Sequence, residues 1–427
     1  MTEDKGMDDQ QIKNIVIVGG GTAGWMTAAA LSKYLEKMDI SLTLIESEQI
    51  ATVGVGEATI PAIAKFNRAL GLDEDDVLKA TQGTFKLGIE FNNWGEIGES
   101  YFHPFGTYGF DLEGLDFHHF WTYMNIKGEG GSLNEYCMSA KSAYGHKFIR
   151  PSPEHGAVIN RLEYAFHFDA VLYAAFLRTF SETRGIIRHE GLVESTSLDA
   201  KTGFISSIHL QDGRTFEADL FIDCTGFRGV LIEQAMKTGY VDWHKFLPVD
   251  RAVAATTKST SEFRPYTRAT AHDAGWQWEI PLQHRDGNGY VYCSQYLEAD
   301  QAENDFRSRL KGVLLKEPRH LRFVTGHRRK FWNKNCVAIG LSAGFMEPLE
   351  STSIHMIQSG ISKLIALFPD RKMTATASNE YNRLMEDDFT HIRDFLMLHY
   401  KATRRDDSPF WNYVRTMDVP DLSLIHI

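Results

Sequence analysis

Cysteine is scarce in this chain of 427 residues. Four residues, Cys137, Cys224, Cys293 and Cys336, lie far apart and form no Cys-x-x-Cys pair. That spacing excludes a zinc cluster and offers no disulfide framework, so buried thiols in a reducing compartment are expected and no metal is assigned. Positive charge is also short: 45 Lys and Arg stand against 56 Asp and Glu, a formal net charge of −11. Such a chain lacks the global attraction for phosphate backbones, which excludes nucleic acid as a partner. No run reaches the roughly 18 apolar residues of a membrane span. The longest apolar stretch, residues 15–31, is broken by four glycines. The acidic, polar N-terminus has neither the basic start nor the apolar stretch of a secretory signal. A cytoplasmic protein without a membrane partner is expected.

What is present is core-forming material. Hydrophobic residues make up 43%, aromatics 12% and charged residues 24%, values of a folded protein rather than a disordered one. The length exceeds the roughly 250–300 residues at which one core stops growing, so a large domain with a second, inserted or appended unit is expected. Asn14 to Val18 is a β-branched run that reads as a buried strand. A helix rich in Ala and Leu follows from Trp25 to Met38, and a second strand, Leu42 to Ile45, ends at Glu46. Further on, Thr84 to Phe91 alternates, with Lys86 on the polar face. Phe168 to Thr183 reads as a helix with Asp169 near its start. Ile208 to Leu210 and Ala218 to Asp223 flank an Asp212-Gly213 turn, and Cys336 to Ile339 is strand-like. Residues 353–368 form an amphipathic helix, and 380–400 is helical too.

Gly19-x-Gly21-x-x-Gly24 follows the first strand directly and opens the first helix. The first glycine allows the tight turn, the second lets the backbone approach a pyrophosphate, and the third permits close packing of helix on strand. The helix start offers unpaired N–H groups and a positive dipole end, and Glu46 can accept hydrogen bonds from ribose hydroxyls. A dinucleotide site is therefore expected, with Thr22 and Ala23 beside the phosphates. The fingerprint does not separate FAD from NAD. Leu220 to Gly226 and Val337 to Gly340, two late strands that end in glycine, fit a flavoprotein whose cofactor is gripped by distant segments.

Six motifs in order carry a family resemblance. They are Gly19 to Trp25, Gly54-Val55-Gly56-Glu57-Ala58-Thr59-Ile60-Pro61, Phe85-Lys86, Trp276-Gln277-Trp278-Glu279-Ile280-Pro281, Glu347-Pro348-Leu349-Glu350-Ser351-Thr352, and Arg405-Asp406-Asp407-Ser408-Pro409-Phe410-Trp411. From about Ile12 to Trp411 the chain resembles the flavin-dependent halogenases, the group that contains the tryptophan halogenases. The resemblance implies an α/β, Rossmann-like FAD-binding fold of the flavoprotein monooxygenase type, with an inserted substrate region of sheet and helix and a C-terminal helical segment. The FAD-binding module would span 12–368, with sheet pieces 12–60, 185–230 and 330–368 and inserted segments 61–184 and 231–329. Residues 369–427 would form the helical segment, which is expected to stop short of a natural domain end.

The resemblance also implies the chemistry. Reduced FAD, supplied by a separate flavin reductase that uses NAD(P)H, reacts with O₂, and chloride or bromide is converted to hypohalous acid. The acid travels through an internal tunnel to Lys86, beside an indole-like or phenolic aromatic. Glu350 would polarise the halogen carrier and take the proton lost from the ring. Ala51, Val193, Gly340 and Ser351 would join the cofactor site, Thr352 and Ser353 would hold the halide, and Pro61, Phe105, Trp276 and Trp278 would line the tunnel and substrate region. A homodimer is among the assembly states left open. Members acting on free tryptophan often have Gly where Ser353 stands, so the halide preference stays open.

Each of these residues also has a plainer reading. A lysine on the polar face of a strand is usually solvated. Glu350, Ser351 and Thr352 could simply cap the helix that follows. Two Trp residues two apart share a strand face and could be core. His118 and His119 have no partner at metal spacing, and His167 and Asp169 could suggest a catalytic pair, but Asp169 reads as a helix cap. Two further functions compete: a flavin-dependent aromatic hydroxylase on the same scaffold, and a catalytically incompetent flavin-binding fragment. Leu341 after Gly340, where such hydroxylases usually carry Asp, argues against the first. A haloamine at Lys86 needs a neutral amine, whereas hydrogen-bonded hypohalous acid needs an ammonium. The residues do not choose between the two.

Overall fold

The structure, a computed structural model, describes residues 10–50, 56–152, 154, 159–259 and 263–420. Ala51, Gly54 and Val55 lie outside the described residues. The apolar run Asn14–Val18 is a central strand of a six-stranded sheet ordered Trp332–Asn333, Cys336–Ala338, Leu220–Asp223, Asn14–Val18, Ser41–Glu46, Ile187–Glu190. All neighbours are parallel except the short edge pair. A central parallel strand is covered on both faces, which is why Asn14–Val18 and Leu220–Asp223 are apolar runs and not alternations, whereas the edge strand Ile187–Glu190 is polar.

The first helix, Thr22–Tyr34, is buried at every position from Gly24 to Ser32. It packs against the helices Ala170–Glu182 and Ser353–Ala366 as well as the sheet, and a helix enclosed in this way is apolar all round. Two glycines are set by geometry. Gly19 has φ +109°, and a Cβ on Gly24 would stand 1.8 Å from the Gly19 carbonyl oxygen. Gly21 faces open space instead.

A second sheet has seven strands, ordered Arg319–Arg322, Arg251–Thr257, Asp286–Tyr292, Gly275–Pro281, Thr267–His272, Gly88–Asn92, Ser100–Pro104. A small third sheet sets Glu57–Ala58 and Thr84–Lys86 on either side of Ala165–Phe168. The alternating stretch expected from Thr84 to Phe91 is therefore two strands in two sheets. The chain changes sheet at Leu87, whose N–H bonds the Pro265 carbonyl. Every side chain from Lys86 to Glu90 is buried, so the pattern of polar and apolar residues does not report solvent here.

The hairpin expected around Asp212-Gly213 also differs. Ile205–Leu210 turns back onto Thr215–Glu217, and Leu220–Asp223 crosses into the parallel sheet. Asp169 caps the helix Ala170–Glu182 as expected, accepting from the Val171 and Leu172 N–H groups.

The motif Arg405 to Trp411 is a clasp. Arg405 forks onto Asp407 at 2.8 and 2.7 Å, donates to the Asn93 carbonyl at 3.0 Å and lies 4.5 Å over the Trp411 ring. Ser408 caps the helix Pro409–Thr416, and the Trp411 indole donates to the His272 carbonyl. These bonds tie the end of the long helix Ala375–Lys401 to the seven-stranded sheet.

Gly24→Ala is expected to lower the unfolding free energy by about 1–3 kcal/mol through overpacking. Gly21→Ala should stay within about 0.5 kcal/mol. Chemical denaturation of the two variants checks the difference.

Candidate active site

A cavity of about 790 Å³ opens above the carboxyl ends of the parallel strands, where open α/β sheets bind ligands. Gly19, Gly21, Thr22, Ala23, Glu46, Val193 and Gly340 line it, and so do Ser351, Thr352, Ser353, Trp276 and Trp278. Gly24 sits behind the wall as a packing glycine. The first helix has no side-chain cap at its start, so its N–H groups are free for a pyrophosphate. Gly20 presses so close to Glu46 that a Cβ would overlap the carboxylate. Arg188 and the Trp25 indole hold that carboxylate in the cavity. A dinucleotide with its pyrophosphate on the glycine turn and a ribose at Glu46 fits these residues.

Lys86 lies beyond this cavity and is fully buried. Its Nζ donates to the Ser351 hydroxyl at 2.8 Å and to the Thr59 carbonyl at 3.0 Å, and it stands 5.1 Å from the centre of the Phe105 ring. Both hydrogen-bond partners are neutral acceptors. Burial drives the amine down to about 7, even though the nearby Glu350 charge pulls the other way. Near neutral pH both protonation states are then populated, against about one neutral lysine in 2,500 at the ordinary value. Gly56, Glu57 and Ala58 line the cavity, and Thr59, the next residue, touches Lys86. Pro61 starts the helix Ala62–Leu70 directly afterwards. Ser351, in a left-handed conformation (φ +59°), is the side chain that belongs to both places.

Glu350 is buried between two histidines that the sequence did not reveal. His103 Nδ1 lies 3.0 Å from each carboxylate oxygen, and His399 Nε2 lies 2.7 Å from Oε1. Burial alone would raise this carboxyl, but the two imidazoles bring it down to about 2. The 2.7 Å contact has the length of a charge-assisted hydrogen bond between an imidazole and a carboxylate. His103 lies on the strand Ser100–Pro104, and Phe105 follows that strand directly. Nothing local marked His399, which arrives from the far end of a helix 27 residues long.

Trp276 and Trp278 share one face of Gly275–Pro281, with ring centres 6.0 Å apart, and Gly289 leaves room for the Trp278 ring. Glu347, missed by sequence reasoning, fixes Trp276: Oε2 accepts from the Trp276 indole at 2.6 Å and from the Tyr400 hydroxyl at 2.7 Å. The capping role considered for Glu350, Ser351 and Thr352 is not realised, since no side chain caps the helix Ser353–Ala366. His167 is buried between the Thr84 and Thr267 hydroxyls. His118 and His119 are exposed, next to Asp116. Gly340-Leu341-Ser342-Ala343-Gly344 has the letters of a nucleophile elbow, yet Ser342 is buried and its hydroxyl bonds the Asp223 and Ile339 carbonyls.

Burial pushes the Glu347 carboxyl up to about 7, despite the hydrogen bonds it accepts. A carboxyl raised in the folded state stabilises fully below its unfolded value, and that stability is lost as pH rises through 7. Glu347→Gln removes the loss. From pH 5 to 8 the variant should gain on the order of 3 kcal/mol relative to wild type, and parallel denaturation profiles would contradict this.

The geometry can be set beside known proteins. Residues 14–425 match the family described as tryptophan halogenase. The tryptophan 6-halogenase ThaL of Streptomyces albogriseolus is 35% identical, over 97% of this chain and 81% of its own length. The tryptophan 7-halogenase RebH of Lentzea aerocolonigenes is 35% identical, over 96% and 80%. BrvH, a flavin-dependent halogenase from Brevundimonas sp. BAL3, superposes with a TM-score of 0.93 at 45% identity, covering 97% of this chain and 83% of that one. Nucleotide cavity, family match and shared fold agree, and the chain belongs to the tryptophan halogenase family, as a flavin-dependent halogenase and hence an oxidoreductase.

Proposed function

We propose that this enzyme halogenates an electron-rich aromatic, an indole or a phenol, with hypohalous acid made at the flavin cavity and received at Lys86. The observation that carries the reading is the Lys86 amine. It is sealed from solvent and bonded to Ser351, which also lines the flavin cavity. When bound, reduced FAD from a separate flavin reductase would supply the two electrons that reduce O₂ as the halide is oxidised.

The chain's own residues account for the rest. The uncapped start of Ser353–Ala366 presents the Thr352 and Ser353 backbone to the cavity, a place where an anion such as chloride or bromide is favoured. The Trp276 and Trp278 rings stand across the cavity and keep the aromatic substrate away from the flavin, which opposes direct hydroxylation. Lys86 takes up hypohalous acid, as a hydrogen-bond donor when charged or as a nucleophile when neutral. With the ammonium, the ring attacks the halogen and the leaving hydroxide takes a proton from Lys86 to become water; with the amine, water leaves as the N–halogen bond forms and the ring then displaces the amine, which regains a proton by way of Glu350. In both, Glu350, held ionised, accepts the ring proton. Phe105 and His103 face the same region. ThaL and RebH are named for positions 6 and 7 of tryptophan. At 45% identity BrvH is the nearer of these three relatives.

Lys86→Ala should lower halogenated product by about 10²-fold or more while flavin reoxidation continues. The check is mass spectrometry of indole incubated with protein, FAD, reductase, NADH, O₂ and bromide. Halogenation by the variant at the wild-type rate would overturn the role of Lys86, and hydroxyindole from wild type would favour the hydroxylase.

A further inference from the structure

The His399 imidazole meets two acceptors. Nδ1 lies 2.9 Å from the Phe395 carbonyl oxygen, and Nε2 lies 2.7 Å from Glu350 Oε1. A carbonyl can only accept, so Nδ1 carries a hydrogen. An ionised carboxylate can only accept as well, so Nε2 carries one too. With Glu350 ionised, His399 is an imidazolium.

The surroundings favour that charge. His399 sits in the last turn of Ala375–Lys401, where the helix carbonyls attract cations. The Phe91 and Phe395 rings lie with centres 4.9 and 5.0 Å away and Trp94 at 6.2 Å, and aromatic neighbours suit a cation. Only 7% of the side chain is exposed. The titratable groups facing it are Glu350 and Glu347 on the 347–350 turn, Tyr400 on its own helix, and His103 and Tyr101 on Ser100–Pro104. Burial opposes the charge, and the Glu350 and Glu347 carboxylates with the Phe395 carbonyl outweigh it. Lys401, in the same turn, points to the Met417 carbonyl.

We propose that His399 is a positioning residue that acts as a fixed cation: it neutralises Glu350, so that this carboxylate does not hold the Lys86 amine as an ammonium. This rests on the reading of Lys86 and Glu350 given above. Lys86 bonds two neutral oxygens and no carboxylate. Among the described residues the anion that acts to hold it as an ammonium is Glu350, and the imidazolium compensates that anion. Sequence spacing could not reveal this, because the three groups come from three separate elements.

The test is the titration of Lys86 by NMR of lysine-labelled full-length protein, with the signal assigned from Lys86→Arg. It needs no flavin, halide or substrate. It therefore fails or succeeds independently of the halogenation reading, which Lys86→Ala turnover addresses. In His399→Gln the midpoint should rise by about one pH unit or more, and the pH profile of turnover should move alkaline by the same amount. In His399→Lys, which restores the charge, the midpoint should stay within about half a unit of wild type. An unchanged midpoint in His399→Gln overturns the proposal. Should that variant fail to fold, nitrogen NMR of histidine-labelled wild type decides. Two protonated nitrogens on His399 at pH 8, where an ordinary histidine is neutral, support the proposal, and one bare nitrogen overturns it.

Discussion

The site is organised by an amine removed from water without an anion to hold it. Burying a charged ammonium is costly unless it is paired, and Lys86 is bonded only to a hydroxyl and a carbonyl. The environment therefore favours the neutral amine far more than water does. That tension needs a rigid shell, because solvent or a free carboxylate would relieve it at once. The shell comes from the small three-stranded sheet, the seven-stranded sheet and the end of the long C-terminal helix, which meet at Lys86 to Phe91. The clasp at Arg405 to Trp411 holds the helix in place, so a motif of acids, Arg and Trp distant from the chemistry in sequence has a mechanical part in it.

Distance between the two halves of the site is bridged by short pieces of backbone. From Gly56 to Thr59 the chain goes from the wall of the flavin cavity to the amine. From Glu347 to Ser353 it touches the tryptophan wall, the histidine pair, the amine and the start of the anion-favouring helix in turn. A change in one half of the site is therefore transmitted to the other through very few bonds. Ser351, held left-handed, is the point where the two halves share a side chain.

Much of this was legible in the sequence, and the reasons are local. The glycine turn, the strands beside it and Glu46 are read from neighbours in the chain, since a pyrophosphate demands small residues and free N–H groups at fixed offsets. Lys86, Glu350, Trp276 and Trp278 were legible through motif resemblance alone. Their plain physical readings, a solvated strand lysine and a helix-capping acid, are the ones the structure replaces. The strand break at Leu87 was invisible because alternation looks the same whether the second face meets water or another sheet. His399, Tyr400 and Glu347 were invisible because their partners lie on other elements. No spacing rule connects a histidine at a helix end with a carboxylate 49 positions earlier.

A hydroxylase and an incompetent fragment differ from the halogenase in what happens to the oxidant. An account in which a sealed amine receives the oxidant requires that it never enters solution. The direct measurement is bromination of indole by wild type in the presence of excess methionine, a soluble thioether that consumes free hypobromous acid. The account predicts an undiminished yield of bromoindole and little methionine sulfoxide. Loss of bromoindole in step with formation of sulfoxide would contradict it.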